Sequence, residues 1–168
     1  GYYVTASRHV PYKRIDLIAA AFKDLPTQRL IIAGAGPETG RIRAVAGPNV
    51  EFAGEVPRDQ LRALFQGARA FVFAAEEDFG IVPLEAQACG TPVVALGRGG
   101  ALETVVAEEG SARTGIFFDD DRPAVIREAI DRFEALQPAP TAEACRAQAL
   151  RFTSALFRSE LRGAVLEG

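Results

Sequence analysis

Six apolar runs of four or five residues, at 2–6, 30–33, 50–53, 70–73, 92–95 and 115–118, punctuate this chain, and each is followed by a stretch with helical spacing. Runs that do not alternate apolar with polar residues read as strands buried on both faces, which requires a parallel sheet covered by helices on either side. The helical stretches fit. Ile15, Ile18, Ala19 and Phe22 line one face, a second helix begins near Glu38, and Leu61, Leu64, Phe65 and Ala68 follow i, i+3, i+4, i+7 after Pro57. Residues 80–89 read as a helix ended by Gly90, 101–107 as a short one, and Ile126, Ala129, Ile130 and Phe133 mark another. The expected fold is α/β: a single Rossmann-like, doubly wound parallel sheet with helices on both faces and a C-terminal helical tail. Pro138 and Pro140 divide residues 1–137 from a tail at 138–168. There Phe152, Leu156, Phe157, Leu161 and Val165 predict a helix with no further strand to cross to, so the tail is expected to pack outside the domain.

A chain of 168 residues, 48% hydrophobic and 24% charged, has enough apolar material for one sizeable core. Its net charge of -3 and pI near 5.3 argue against nucleic acid as a partner, so any phosphate must be bound locally. Cys89 and Cys145 lie far apart with no zinc or disulfide spacing, which fits a reducing cytoplasm. No apolar run approaches the ~20 residues of a membrane span, so membrane contact would be peripheral, at the inner face, through a part outside this chain. The strand-like start suggests that upstream sequence is missing.

In such a sheet ligands bind at the carboxyl ends of the strands, so the loops there carry the chemistry. Arg8 and Lys13 flank the start of the first helix and suit a pyrophosphate. Taken alone, they read more readily as solvated surface charges. Gly34-Ala35-Gly36-Pro37-Glu38-Thr39-Gly40 superficially meets a dinucleotide pattern, but it follows the second strand rather than the first. Ala74-Ala75-Glu76-Glu77-Asp78-Phe79-Gly80-Ile81-Val82-Pro83-Leu84-Glu85 is the most informative stretch. Gly80 permits an unusual backbone, Pro83 suits a first helical turn, and amides from Ile81 to Leu84 form an anion site. Glu85, one turn in, can accept from a pair of vicinal sugar hydroxyls. Offsetting the helix dipole explains Glu76, Glu77 and Asp78 as well, but explains Glu85 less well. Gly97-Arg98-Gly99-Gly100 would lie beside the Glu77 loop. His9, the only histidine, is placed to touch a phosphate or move a proton, although a lone loop histidine is more often incidental. Cys89 reads as a small core residue, and the run 119–121 as a cap for the helix after it.

Glu77 and Glu85, seven residues apart, resemble the Glu-x7-Glu motif of the retaining glycosyltransferases of family four, which have the GT-B fold. Further matches in that family's order are Arg8 with Lys13, Gly34-x-Gly36-Pro37, Phe52-x-Gly54-x-Val56, Cys89-Gly90-Thr91-Pro92-Val93-Val94-Ala95 and Gly99-Gly100-x-x-Glu103. Over residues 2–135 the resemblance implies a donor-binding, carboxyl-terminal domain. Arg8 and Lys13 would then bind the donor diphosphate, and Glu85 the ribose. Glu77 and the backbone of Phe79, Gly80, Ile81 and Val82 would contact the transferred sugar and its phosphate. The base would rest near Gly54 and Val56, with Gly34 and Gly36 bordering the pocket. Arg8, Lys13 and Glu77 would be the catalytic set, without metal or other cofactor. Retention in the family is explained by front-side attack, and the tail resembles a helix that crosses back onto an amino-terminal, acceptor-binding domain.

The local wording around Asp78-Phe79-Gly80-Ile81-Val82-Pro83 resembles mannosyltransferases that use GDP-mannose in polysaccharide assembly, with a glycan or lipid-linked acceptor. UDP- and ADP-linked sugars remain alternatives. So do a non-catalytic nucleotide-binding module, a nicotinamide-dependent oxidoreductase domain resting on the Gly34 turn, and a sugar-nucleotide epimerase, whose catalytic acids and histidines are not evident.

Overall fold

In the computed structural model, which describes residues 1–153, the six apolar runs become six parallel strands. They are β1 (Tyr2–Ala6), β2 (Leu30–Ala33), β3 (Val50–Gly54), β4 (Ala68–Phe73), β5 (Val93–Leu96) and β6 (Gly115–Phe118), in the order β3-β2-β1-β4-β5-β6. The connecting helices are α1 (Ile15–Lys23), α2 (Thr39–Val45), α3 (Arg58–Gly67), α4 (Ile81–Ala88), α5 (Ala101–Thr104) and α6 (Pro123–Glu134), and α7 (Ala142–Leu150) follows the last strand unit. This is the doubly wound α/β arrangement expected, with the strand order reversing between β1 and β4.

Side-chain alternation along each strand divides the core in two. Tyr3, Leu30, Ile32, Val72, Val94 and Ile116 pack under α1 and α6 with Ile18, Phe22, Ile126 and Ile130. On the opposite face Val4, Phe71, Phe73, Val93 and Ala95 meet Phe65 of α3 and Ala86 of α4. Edge contacts tie aromatic residues on each side, Tyr3 to Phe22 at 5.3 Å and Phe65 to Phe71 at 5.6 Å. The buried Tyr3 hydroxyl donates to the Glu134 carboxylate, to which Arg69 also donates, so α6 is held at the amino edge of the sheet. Asn49, which no motif marked, donates to the carbonyls of Phe22, Leu25 and Gln28 at 2.7–3.0 Å and closes the turn after α1.

Two of the boundaries that differ from the sequence reading have a visible cause. Ala68 begins β4 rather than ending α3, because its backbone is already extended (φ -83, ψ 148) and it pairs with Tyr2. The helix expected at 101–107 stops at Thr104. Val106 is drawn away by Thr114, which donates to its carbonyl at 2.8 Å and accepts from its amide at 3.0 Å.

The tail does not leave the domain at Pro138. Helix α7 is capped by the Thr141 hydroxyl, which accepts from Ala144 N at 3.1 Å, and it packs on α4. Its Cys145 is fully buried, and Gln148 donates to the Thr104 carbonyl at 3.3 Å. Leu156, Phe157, Leu161 and Val165 lie outside the described residues.

Burial pushes the Cys145 thiol up to about 12 and leaves it no solvent face. Iodoacetamide at pH 8 should therefore label Cys89, which is part-exposed, and reach Cys145 only on unfolding. Mass spectrometry of peptides labelled with and without denaturant checks this; equal labelling of both thiols in the native protein would mean that α7 does not dock.

Candidate functional site

The strand-order reversal opens a crevice between the loops after β1 and β4, and the two acid–base residues that flank it meet there. Lys13 ends a 3-10 turn (Pro11–Lys13), and its ammonium donates to the Glu77 carboxylate in the loop after β4. Both side chains are mostly buried, at 13% and 19% exposure, so the partnership is shielded from solvent. Burial pushes the Lys13 ammonium pKa down, while the carboxylate beside it favours the charged form. Arg14, next in sequence, adopts a left-handed backbone (φ 55) that turns the chain from Lys13 into α1, and its guanidinium reaches Asp121 at 3.3 Å.

The Glu77 loop is held by the glycines after β5. Gly100 N donates to the Glu77 carbonyl at 2.7 Å, and a Cβ on Gly100 would stand 2.4 Å from Phe79 Cα. A Cβ on Gly99 would stand 2.4 Å from the Glu77 oxygen. No side chain fits between the loops, so the positions of Glu77 and Phe79 are set by backbone contact. Gly80, left-handed at φ 73, then turns the chain into α4, whose start no side chain caps. The Ile81 and Val82 amides thus lie within the first turn, where intrahelical acceptors are lacking.

Beside this junction runs a cleft of about 670 Å³ lined by Ala6, Ser7, Arg8, Ala33, Gly34, Ala35, Gly36, Glu55, Val56, Leu61 and Val82. It brings together Arg8, Gly34, Gly36, Val56 and Val82 from the expected set. Gly54 (φ 69) supports the wall, its carbonyl accepting from Gly34 N at 2.6 Å. Gly34 and Gly36 are required by packing: a Cβ would lie 1.9 Å from the Ser7 oxygen in one case and 2.5 Å from the His9 oxygen in the other. The Gly34 turn does not open a helix directly after β1, as a dinucleotide fingerprint would; α2 begins only at Thr39, after β2.

Phe79, Ile81 and Glu85 face a different groove, between α4 and the 146–153 segment, where Phe79 meets Phe152 edge-on at 5.9 Å. Glu85 also approaches Arg58 at the start of α3, at 3.8 Å, so it sits on the flank of α4 toward α3 rather than in the cleft lining. Glu76 pairs with Arg98 at 4.0 Å. Among the described residues no group of His, Cys, Asp and Glu is arranged to hold a metal ion, and no helix is long and apolar enough to cross a membrane.

His9 is not a loop histidine facing a ligand. It is 1% exposed and acts as a post under the Gly34 turn: its amide donates to the Ala35 carbonyl at 2.9 Å, and its carbonyl accepts from Glu38 N at 3.1 Å. The Thr39 hydroxyl donates to the Gly36 carbonyl at 2.8 Å, so at 2.9 Å from His9 Nδ1 it must accept, which places the imidazole hydrogen on Nδ1. In the run at 119–121, Asp120 acts locally: it accepts from Arg122 N at 3.0 Å and Arg122 Nε at 2.8 Å, fixing the turn before α6 rather than capping it.

Two stability effects follow from these contacts. Burial, with the nearby Arg43 charge, holds His9 below its ordinary value of 6.5. The unfolded chain binds a proton below about 6.5 that the folded protein refuses, so stability should fall as pH drops through that range. In His9→Gln this component of the slope should vanish, as read by urea midpoints at pH 7 and pH 5; an unchanged slope would refute it. Gly100→Ala should lower stability by about 1–3 kcal/mol through overpacking. Gly40→Ala, where a Cβ meets open space, should raise it by about 0.4–1 kcal/mol. Thermal melts of both variants compare them.

A D-inositol 3-phosphate glycosyltransferase of Acidothermus cellulolyticus is 39% identical over 141 residues, covering 75% of this chain and 30% of that protein. A GDP-mannose-dependent alpha-(1-6)-phosphatidylinositol monomannoside mannosyltransferase of Mycolicibacterium smegmatis is 35% identical over 133 residues, covering 69% of this chain and 34% of its own length. The crystal structure of Anabaena HepE in complex with UDP and glucose superposes with a TM-score of 0.74 at 26% identity, covering all of this chain and 48% of that one. The chain thus spans about a third of these curated relatives and half of the solved structure. Residues 1–152 match the family described as glycosyl transferases group 1, and this chain belongs to that family.

Proposed function

We propose that this chain is the donor-binding half of a retaining hexosyltransferase that moves mannose from GDP-mannose to a glycan or lipid-linked acceptor. The observation that carries it is the meeting of Lys13 and Glu77 at the strand-order reversal, beside Arg8 and the amides that begin α4. The GDP-mannose-dependent relative supports that donor. HepE holds UDP on a similar fold, so the fold alone does not fix the base. The sequence resemblance supports retention. The remaining two thirds of the relatives' length supports a second, acceptor-binding domain outside this chain. Cys89 and Cys145 are both free, in keeping with a cytoplasmic site of action.

Sugar transfer breaks the bond between the anomeric carbon and a phosphate oxygen, and the electron pair leaves with the diphosphate. The acceptor hydroxyl oxygen bonds to that carbon on the departing face, and its proton passes to the leaving phosphate. Arg8, Lys13 and the Ile81 and Val82 amides stabilise the growing negative charge, a contribution larger in the transition state than in the bound donor. Glu77, steadied by Gly100, orients sugar hydroxyls. Glu85, on the α3 side of α4, takes the ribose hydroxyls.

Calorimetric titration with GDP-mannose, GDP, UDP, ADP and NAD tests the assignment. One diphosphate nucleotide should bind selectively, and Lys13→Ala and Glu85→Ala should each weaken it about tenfold or more, as loss of a charged hydrogen bond implies. Binding of NAD alone would overturn the assignment in favour of an oxidoreductase.

A further inference from the structure

We infer that Glu55 is a specificity residue of the nucleotide cleft and selects guanine over uracil and adenine. The inference rests on the donor-binding assignment above and adds the group that reads the base.

The cleft is polarised along its length. Arg8 and Val82, in the first turn of α4, lie at the β1–β4 side, where cation and helix amides suit phosphate. Glu55, Val56 and Leu61 come from the end of β3 and from α3, with the Gly34–Gly36 turn between the two groups. A nucleoside diphosphate laid with its phosphates at Arg8 therefore places its base at the β3 side. There Val56 and Leu61 offer apolar side chains to the ring faces.

Glu55 gives that end its charge. It is the one acid among the residues lining the cleft; it is exposed, and among the described residues it has neither an ion-pair partner nor a hydrogen bond, so both carboxylate oxygens are open to a ligand. A carboxylate there repels phosphate, and it attracts the part of a ligand that brings hydrogen-bond donors to it. Guanine does so in the one geometry a carboxylate matches best, with N1–H and the N2 amino group side by side for two oxygens. Uracil offers a single N–H between two carbonyls that a carboxylate repels. Adenine offers an amino group next to a bare ring nitrogen.

Inosine diphosphate, which differs from GDP only in lacking the N2 amino group, isolates the contact. In titrations of this chain, GDP should bind about tenfold tighter than inosine diphosphate, the factor expected for one charged hydrogen bond. Glu55→Gln should reduce GDP affinity about tenfold, bring GDP and inosine diphosphate within about twofold of each other, and leave UDP within about twofold of its original value. Equal binding of GDP and inosine diphosphate by the unaltered chain, or a preference untouched by Glu55→Gln, would overturn the role of Glu55. If Arg8→Ala still weakened the diphosphates, donor binding itself would survive that result. Failure of every nucleoside diphosphate to bind at millimolar concentration would instead sink the donor assignment, and the Glu55 role with it.

Discussion

The pairing of β1 with β4 is the constraint on which the crevice depends. Tyr3 lies against Ala70 and Val4 against Phe71, joining segments more than sixty residues apart. Such a parallel contact is entropically demanding to close. Both faces of the pair supply the return: Tyr3 and Val4 are each fully buried, one under α1 and α6, the other against α3 and α4. Because the strand order reverses at this contact, the loops after β1 and β4 diverge to opposite faces. Lys13 and Glu77 meet across the gap they leave. A slip of one residue in this register would exchange the two covered faces of β1, setting Tyr3 against α3 and α4 and Val4 under α1 and α6, and would part the two charges as well.

Much of this arrangement was legible from sequence, and the reason is physical. Strands buried on both faces leave no polar residue in runs such as Leu30–Ala33, and helices that cover them must present one apolar stripe, so fold and strand order of appearance are written in hydrophobicity. The loops carrying Arg8, Lys13, Glu77 and Gly34 follow directly from those strands. Less visible were features set by tertiary contact. His9 reads as a reactive loop residue until its backbone is seen bonded to Ala35 and Glu38, and the early end of α5 depends on Thr114, ten residues beyond it. The approach of Glu85 to Arg58 at the start of α3 is likewise invisible in the spacing of the motif. Glu55 was not singled out, and Leu61 was read only as part of a helix stripe, because a single carboxylate or leucine carries no binding pattern; only the cleft brings them beside Val56.

Charge in this protein is managed locally. A chain with net charge -3 carries no broad basic field, yet Arg8 and the start of α4 set a cation and uncapped helix amides against one cleft. Lys13 is costly to bury, as its lowered pKa records, and Glu77 beside it offsets that cost. The same carboxylate is thereby kept in a single position instead of sampling the solvent, which preorganises the crevice before anything enters it.

The close approach of Gly99 and Gly100 to residues 77–79 has a consequence for how such a site changes over generations. Two loops from different strand units share one layer of backbone, so neither can gain a side chain or an inserted residue there without displacing the other. They form one heritable part although nearly twenty residues separate them in the chain. Transplanting the acidic loop alone into a related scaffold would carry the letters of the motif without its geometry; transplanting both would carry the geometry as well.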